Sequence, residues 1–143
     1  MPASTQTNTV VPMLSYQSGP VAMDWLCRAF GFHERVRMLD DSGRLAHEEL
    51  ETESGGRLML ATPTSDYENP RNRERCEQAR RWSATPWVID GVLVYVSDVD
   101  AHYQRAKAAG ARILSEIEND YPGKRYRVED CEGHRWMFME AAD

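Results

Sequence analysis

A chain of 143 residues, 41% hydrophobic and 28% charged, is long enough for one domain with a buried core and has ordinary globular composition. Its net charge of −6 argues against the broad basic footprint of a nucleic-acid-binding protein, and no apolar run approaches the roughly 20 residues of a membrane helix. Cys27, Cys76 and Cys131 are widely spaced and form no Cys-x-x-Cys pair, which suits a reducing cytoplasm better than a disulfide framework or a zinc knuckle.

The polar opening, Met1 to Val10, lacks the basic start and apolar stretch of a signal peptide and reads as a loose arm. An alternating strand follows near Val10 to Tyr16. Ser18-Gly19-Pro20 turns into a helix over Val21 to Phe30, with Ala22, Leu26, Ala29 and Phe30 at helical spacing and Gly31 as its stop. Cys27 falls on the apolar side of that helix and is assigned to the core. Three short strands come next: Glu34 to Leu39, Leu45 to Thr52 and Arg57 to Ala61. They are joined by Asp40-Asp41-Ser42-Gly43 and Glu53-Ser54-Gly55-Gly56, the turn chemistry of an antiparallel meander.

Thr62 to Asp90 is too long for an ordinary connection. Asn69-Pro70 predicts a helix start, and the helix runs over Arg71 to Trp82. Arg71, Arg73, Arg75, Arg80 and Arg81 interleave with Glu74 and Glu77, a pattern expected of a solvated helix with ion pairs along its face, with a lid or substrate-contacting role as the alternative. The first half's order then repeats. Val92 to Val96 is a strand, Asp98 caps a helix over Val99 to Ala109, and Gly110 closes it. Arg112 to Glu118, Lys124 to Glu129 and Arg135 to Glu140 are strands, the last two joined at Asp130-Cys131-Glu132-Gly133.

The repeat is visible residue by residue. At a shift of 79, Ser18, Ala22, Arg28, Ala29 and Gly31 fall on Ser97, Ala101, Lys107, Ala108 and Gly110; at 78, Arg57-Leu58-Met59-Leu60 falls on Arg135-Trp136-Met137-Phe138. The prediction is an α+β protein of two tandem βαβββ modules forming a curved mixed sheet around a cleft. Residues 1–143 form a single domain in this scheme, with module one at about 9–62, a connection at 63–90 and module two at about 91–140.

This layout resembles the vicinal oxygen chelate superfamily, which includes glyoxalase I, extradiol dioxygenases, and fosfomycin and bleomycin resistance proteins. Val94-Tyr95-Val96-Ser97-Asp98-Val99-Asp100-Ala101 is similar to the family's strand-to-helix entry, and Ala108-Ala109-Gly110-Ala111 to its helix exit. Tyr121-Pro122-Gly123-Lys124-Arg125-Tyr126 and Glu129-Asp130-Cys131-Glu132-Gly133-His134-Arg135-Trp136 resemble its closing hairpin. Gly133-His134-Arg135-Trp136 is especially like the PhnB-like or glyoxalase-like subgroup.

Enzymes of that superfamily hold a divalent metal with His, Gln or Glu from four positions, one near the start and one on the last strand of each module. The resemblance puts those positions at Val11, Met59, Gly91 and Met137, none of which supplies an oxygen or imidazole donor. A one-residue slip does not restore donors, since Met13 and Leu93 are the next residues of those strand faces. No metal and no other cofactor is therefore expected.

Alternation puts Met13, Met59, Leu93, Tyr95, Arg135 and Met137 on the cleft side. His47 and Glu49 stand 12 and 10 residues before Met59, and Arg125 and Arg127 stand likewise before Met137. Those positions carry substrate-contacting polar residues in the family. Glu49 and Arg127 are also candidates to pair with each other across the cleft. Trp136 is assigned to the core, His134 to turn packing, and His33 and His102 to the exposed surface. Cys76 and Cys131 read as plain exposed thiols.

Two functions fit. One is a cytoplasmic small-molecule-binding protein of the bleomycin resistance type, a homodimer holding an aromatic or anionic ligand between modules. The other is a glyoxalase-like lyase or isomerase using His47 or Glu49 as a base or as a non-standard metal ligand. The missing metal ligands favour binding.

Overall fold

The computed structural model describes residues 9–141, so the arm expected over Met1 to Val10 lies almost wholly outside the described residues. In chain order the elements are β1 (Met13–Ser15), α1 (Gly19–Phe30), β2 (His33–Leu39), β3 (Leu45–Glu51) and β4 (Arg57–Ala61). After them come α2 (Pro70–Arg73), α3 (Glu77–Ser83), β5 (Gly91–Tyr95), α4 (Val99–Ala108), β6 (Arg112–Asp120), β7 (Gly123–Glu129) and β8 (Arg135–Met139). The strands form two four-stranded mixed sheets, β1-β4-β3-β2 and β5-β8-β7-β6. In each sheet the first strand runs parallel to the last and the other pairs are antiparallel. The α+β class and the tandem βαβββ order follow the sequence.

Local chemistry accounts for the element ends. Gly31 closes α1 in the left-handed region (φ 75) and donates its N–H to the Cys27 carbonyl at 3.1 Å. Asp98 starts α4 by accepting the Ala101 N–H at 3.0 Å. The two-residue period then divides each sheet. Leu58 and Leu60 on β4, and Trp136 and Phe138 on β8, are buried beneath the helices, while Met59 and Met137 take the other face.

The two helix-covered faces share one core. Phe30, at the end of α1, meets Trp136 and Phe138 of the second sheet with ring centroids 5.6 and 4.8 Å apart. Trp25 donates its indole N–H across the modules to the Ala109 carbonyl at 3.1 Å. Burying each such aromatic contributes on the order of 2 kcal/mol or more, so the modules stabilise one another. The open faces are left outside: Met13 is 77% exposed, and Leu93 and Tyr95 are each 46% exposed.

Reciprocal clasps reinforce the union. The Glu132 carboxylate, in the β7–β8 turn, accepts the Gln17 and Ser18 N–H groups at 2.6 and 2.8 Å. The Glu53 carboxylate, in the β3–β4 turn, accepts the Ser97 N–H at 3.2 Å and its hydroxyl. Asp130 is fully buried and accepts from Tyr16 Oη (2.6 Å), Trp136 Nε1 (3.0 Å), and the Glu132 and His134 N–H groups (3.0 Å each). Burial, with the Asp130 charge beside it, pushes the Tyr16 phenol well above its ordinary range. His134 completes the turn, with Nε2 bonded to the Ser15 carbonyl at 2.7 Å.

Several expectations need correction. The single helix over Arg71 to Trp82 is two short helices, α2 and α3, with a break between Arg73 and Glu77. So short a helix gains little from its own hydrogen bonds, and tertiary contacts set its direction. Arg71 is tied to the β7–β8 turn through its N–H to the Glu132 carbonyl (3.0 Å) and its guanidinium to the Asp130 carbonyl (2.9 Å). Gly133 makes room: its φ is 95, and a Cβ there would come within 2.7 Å of the Arg71 nitrogen.

His102 is not an exposed residue. It is wedged between modules, with Nδ1 2.6 Å from the Tyr126 hydroxyl and Nε2 2.9 Å from the Phe30 carbonyl, and burial lowers its pKa to about 4. Cys131 is half-buried rather than exposed, and burial beside Asp130 and Glu132 pushes its thiol up to about 12.

Candidate functional site

Each open face carries one continuous row of side chains across its sheet. On the first sheet the row is Met13, Met59, Glu49 and Val36, and on the second it is Leu93, Met137, Arg127 and Ser115. The rows are equivalent by the repeat. They differ where it matters chemically: Glu49 stands where Arg127 stands.

The module-two row lines a cavity of about 360 Å³ with Trp87, Asp90, Leu93, Leu114, Arg127 and Met137 among its walls. That is within the range of small-molecule pockets. The Arg127 backbone N–H is bonded to Ser115 Oγ at 3.1 Å, but its guanidinium makes no hydrogen bond or ion pair with any described residue. A half-buried cation in that state is matched by an incoming carboxylate or phosphate.

The other two arginines are committed. Arg135 borders the same cavity, yet it is 5% exposed and its guanidinium donates to the Ser83 carbonyl (2.6 Å), the Thr85 carbonyl (2.9 Å) and Glu129 (3.1 Å). It fastens the connecting segment to β8. Arg125 is held in the β6–β7 hairpin by Glu118 at 2.7 Å and Asp120 at 2.9 Å.

On module one, His47 Nε2 lies 3.1 Å from Glu49 Oε2, and Arg57 approaches the same carboxylate at 3.8 Å. Within the chain Glu49 is therefore paired on its own sheet and not with Arg127. None of the cavities described is lined by His47, Glu49 or Met59 together with Arg127 or Met137. Leu93 and Tyr95 instead meet Arg57 in a second cavity of about 310 Å³, where the edge of β5 approaches the β3–β4 turn.

The four positions that the resemblance assigns to metal ligands hold no such residue. Val11, Met59, Gly91 and Met137 offer no hard or borderline donor. A side chain at Gly91 would bring its Cβ within 3.1 Å of the Arg135 carbonyl oxygen, so the position is also tight for a ligating residue. Among the described residues no group of three or more His, Cys, Asp or Glu side chains lies together as a metal site.

Two features escaped the sequence reading. Pro86, Trp87, Ile89 and Asp90 of the connection wall the module-two cavity; the apolar run Trp87-Val88-Ile89 in an otherwise polar connection is the signal that could have found it. Glu48 is fully buried on the helix side of β3, and neither carboxylate oxygen has a hydrogen-bond partner among the described residues. Burial raises its pKa to about 8, while neighbouring Arg37 spends its guanidinium on Asp24 at 2.6 Å and Glu34 at 2.9 Å.

Residues 12–138 match the model of the Glyoxalase/Bleomycin resistance protein/Dioxygenase superfamily. Rv0887c, an uncharacterized protein of Mycobacterium tuberculosis H37Rv, is 32% identical over 130 residues, covering 87% of this chain and 69% of the relative. The crystal structure of TioX from Micromonospora sp. ML1 superposes with a TM-score of 0.67 at 33% identity, covering 95% of this chain and 98% of TioX. TnmS3 from Streptomyces sp. CB03234, an antibiotic binding protein, superposes with a TM-score of 0.59 over 96% of this chain and 100% of its own; at 16% identity the likeness is one of fold.

Proposed function

The chain belongs to the glyoxalase/bleomycin resistance protein/dioxygenase superfamily, and on that premise we propose that it binds a small aromatic or anionic molecule, without a metal, at a site completed by two copies of the chain. The observation that carries this is Arg127, an unanswered guanidinium on the wall of a cavity of about 360 Å³ that also exposes Leu93 and Met137. An acid group would bind Arg127, and the thioether and leucine would supply contact area.

The arrangement of the faces supports a homodimer. The helix-covered faces are spent on each other, and Met13, Leu93 and Tyr95 remain largely exposed on the open faces. Apolar groups on a sheet face mark an interaction surface. The occupant that suits them is the opposite face of a second copy, since Glu49 on one face complements Arg127 on the other. His47, Glu49, Met13 and Met59 would then close the cavity that Arg127, Leu93 and Met137 begin. We place the protein in the cytoplasm, in keeping with three cysteines that are all unpaired.

A thermal-shift screen tests the binding function, using aromatic carboxylates, organic phosphates and salts of nickel, zinc, manganese and ferrous iron. We expect the organic acids to raise Tm, Arg127→Ala to abolish the rise, and the metals to do nothing. Tight stoichiometric binding of a divalent ion, with a raised Tm, would overturn the metal-free site.

The contact of His47 with Glu49 at 3.1 Å supports a second function, a glyoxalase-like lyase or isomerase in which His47 is a base oriented by Glu49. Turnover of a small oxygenated substrate that is lost in His47→Ala, with ligand affinity retained, would favour it.

A further inference from the structure

The connecting segment walls the same cavity as Arg127 and bears on the chemistry of what that cavity would take. Pro86, Trp87, Ile89 and Asp90 stand on the same cavity wall as Arg127 and Met137. Trp87 is 69% exposed, whereas Trp25 and Trp136 are 8% and 2% exposed. Its indole makes no hydrogen bond or ring contact with a described residue. A large ring left in water beside a cavity, within the same walls as a free guanidinium, is complementary to a flat apolar body carrying an acid.

The segment is held in place from beneath. Arg135 donates to the Ser83 and Thr85 carbonyls, directly before Pro86, and its third bond to buried Glu129 fixes the guanidinium from behind. Burial of both Arg135 and Glu129 makes this a firm anchor, with side-chain exposures of 4% and 3%. Only a planar fork with several N–H donors reaches both carbonyls and the carboxylate together; a lysine ammonium does not reproduce it.

We propose that Trp87 is a specificity-determining residue that stacks on the ring of an aromatic carboxylate whose acid group binds Arg127, and that Arg135 is a positioning residue that holds Trp87 at the cavity. This rests on the binding function proposed above and adds that the ligand is aromatic and acidic at once. Leu93 and Met137 form the floor under the ring, and Arg127 sets the position of the acid.

The test is calorimetric titration of the full chain with three probes: 2-naphthoate, cyclohexanecarboxylate, which lacks the ring, and 2-naphthalenemethanol, which lacks the charge. We expect 2-naphthoate to bind tightest. Trp87→Ala should weaken it about tenfold and erase its advantage over cyclohexanecarboxylate, while Trp87→Phe keeps most of the affinity. Arg135→Lys should behave like Trp87→Ala, losing ring preference but keeping acid preference. Arg127→Ala should do the reverse. Unchanged 2-naphthoate affinity in Trp87→Ala, with a loss in Arg127→Ala, would overturn the role of Trp87 and leave the binding function standing. Failure of all three probes to bind the unmodified protein would overturn both. Because Trp87 is exposed, its variants fold whether or not Arg135→Lys does.

Discussion

Glu49 and Arg127 occupy equivalent places on the two sheets, each directly across from a methionine, Met59 or Met137, and they carry opposite charge. Duplicated modules would be expected to present the same face twice. Here the two faces carry opposite charge at equivalent positions, and among the described residues Glu49 and Arg127 do not pair with each other. A face that is apolar at its edge strand and charged at its centre is suited to the unlike face of another copy. Sedimentation velocity should therefore find a dimer at micromolar concentration. Met13→Asp and Leu93→Asp place a carboxylate on the exposed strand of each face, and each should weaken association at least about tenfold. A monomeric unmodified protein would contradict this.

Stability should depend on pH through Glu48 and His102, in opposite senses. The folded-state pKa of Glu48 is raised from 4.5 to about 8, so its contribution is full below 4.5 and is lost as pH rises through 8. The folded-state pKa of His102 is lowered from 6.5 to about 4, so its contribution is full above 6.5 and is lost as pH falls toward 4. Between 4.5 and 6.5 the two slopes oppose each other; above 6.5 Glu48 acts alone. Urea unfolding should show a plateau ending near pH 6.5, then a decline of about 2 kcal/mol by pH 8. Glu48→Gln should flatten the decline and be most stabilising at pH 8. A flat profile from 6.5 to 8 in the unmodified protein would remove Glu48 as the cause.

The two clasps should differ in strength. Glu132 is 6% exposed and accepts from Gln17, Ser18 and, at 3.1 Å, Asn69 Nδ2, whereas Glu53 is exposed and holds Ser97 alone. Removing a buried carboxylate strands its donors, so Glu132→Ala should cost about 3 kcal/mol. Glu53→Ala should cost about 1 kcal/mol or less. Equal costs in denaturant titrations would show that burial is not what separates them.

The elements were legible because their signals are local. The leucines flanking Met59 and the aromatics flanking Met137 alternate with the open-face residues, so both rows could be read from the two-residue period. That period gives a face but not what covers it. Which faces join depends on Phe30 reaching Trp136 and Phe138 far along the chain, and no spacing encodes such a contact. Arg135 was placed on the correct face, but its commitment to Ser83 and Thr85 depends on a connection that folds back onto β8. Glu48 was hidden for a related reason. Alternation points it inward, yet a carboxylate among Leu45, Leu50 and Leu60 looks like a surface residue until its neighbours are known.

Mixing two defective variants tests most directly whether the site lies between copies. Arg127→Ala removes the anchor of the module-two wall, and Met59→Arg blocks the module-one wall; neither variant alone should bind the aromatic acid with the unmodified protein's affinity. When the two are unfolded together and refolded in equal amounts, half the dimers are mixed, and each mixed dimer joins one intact module-one face to one intact module-two face. Calorimetry should then recover about a quarter of the unmodified protein's sites at undiminished affinity. No recovery, with mixed dimers shown to be present, would place each site within a single chain and contradict the account.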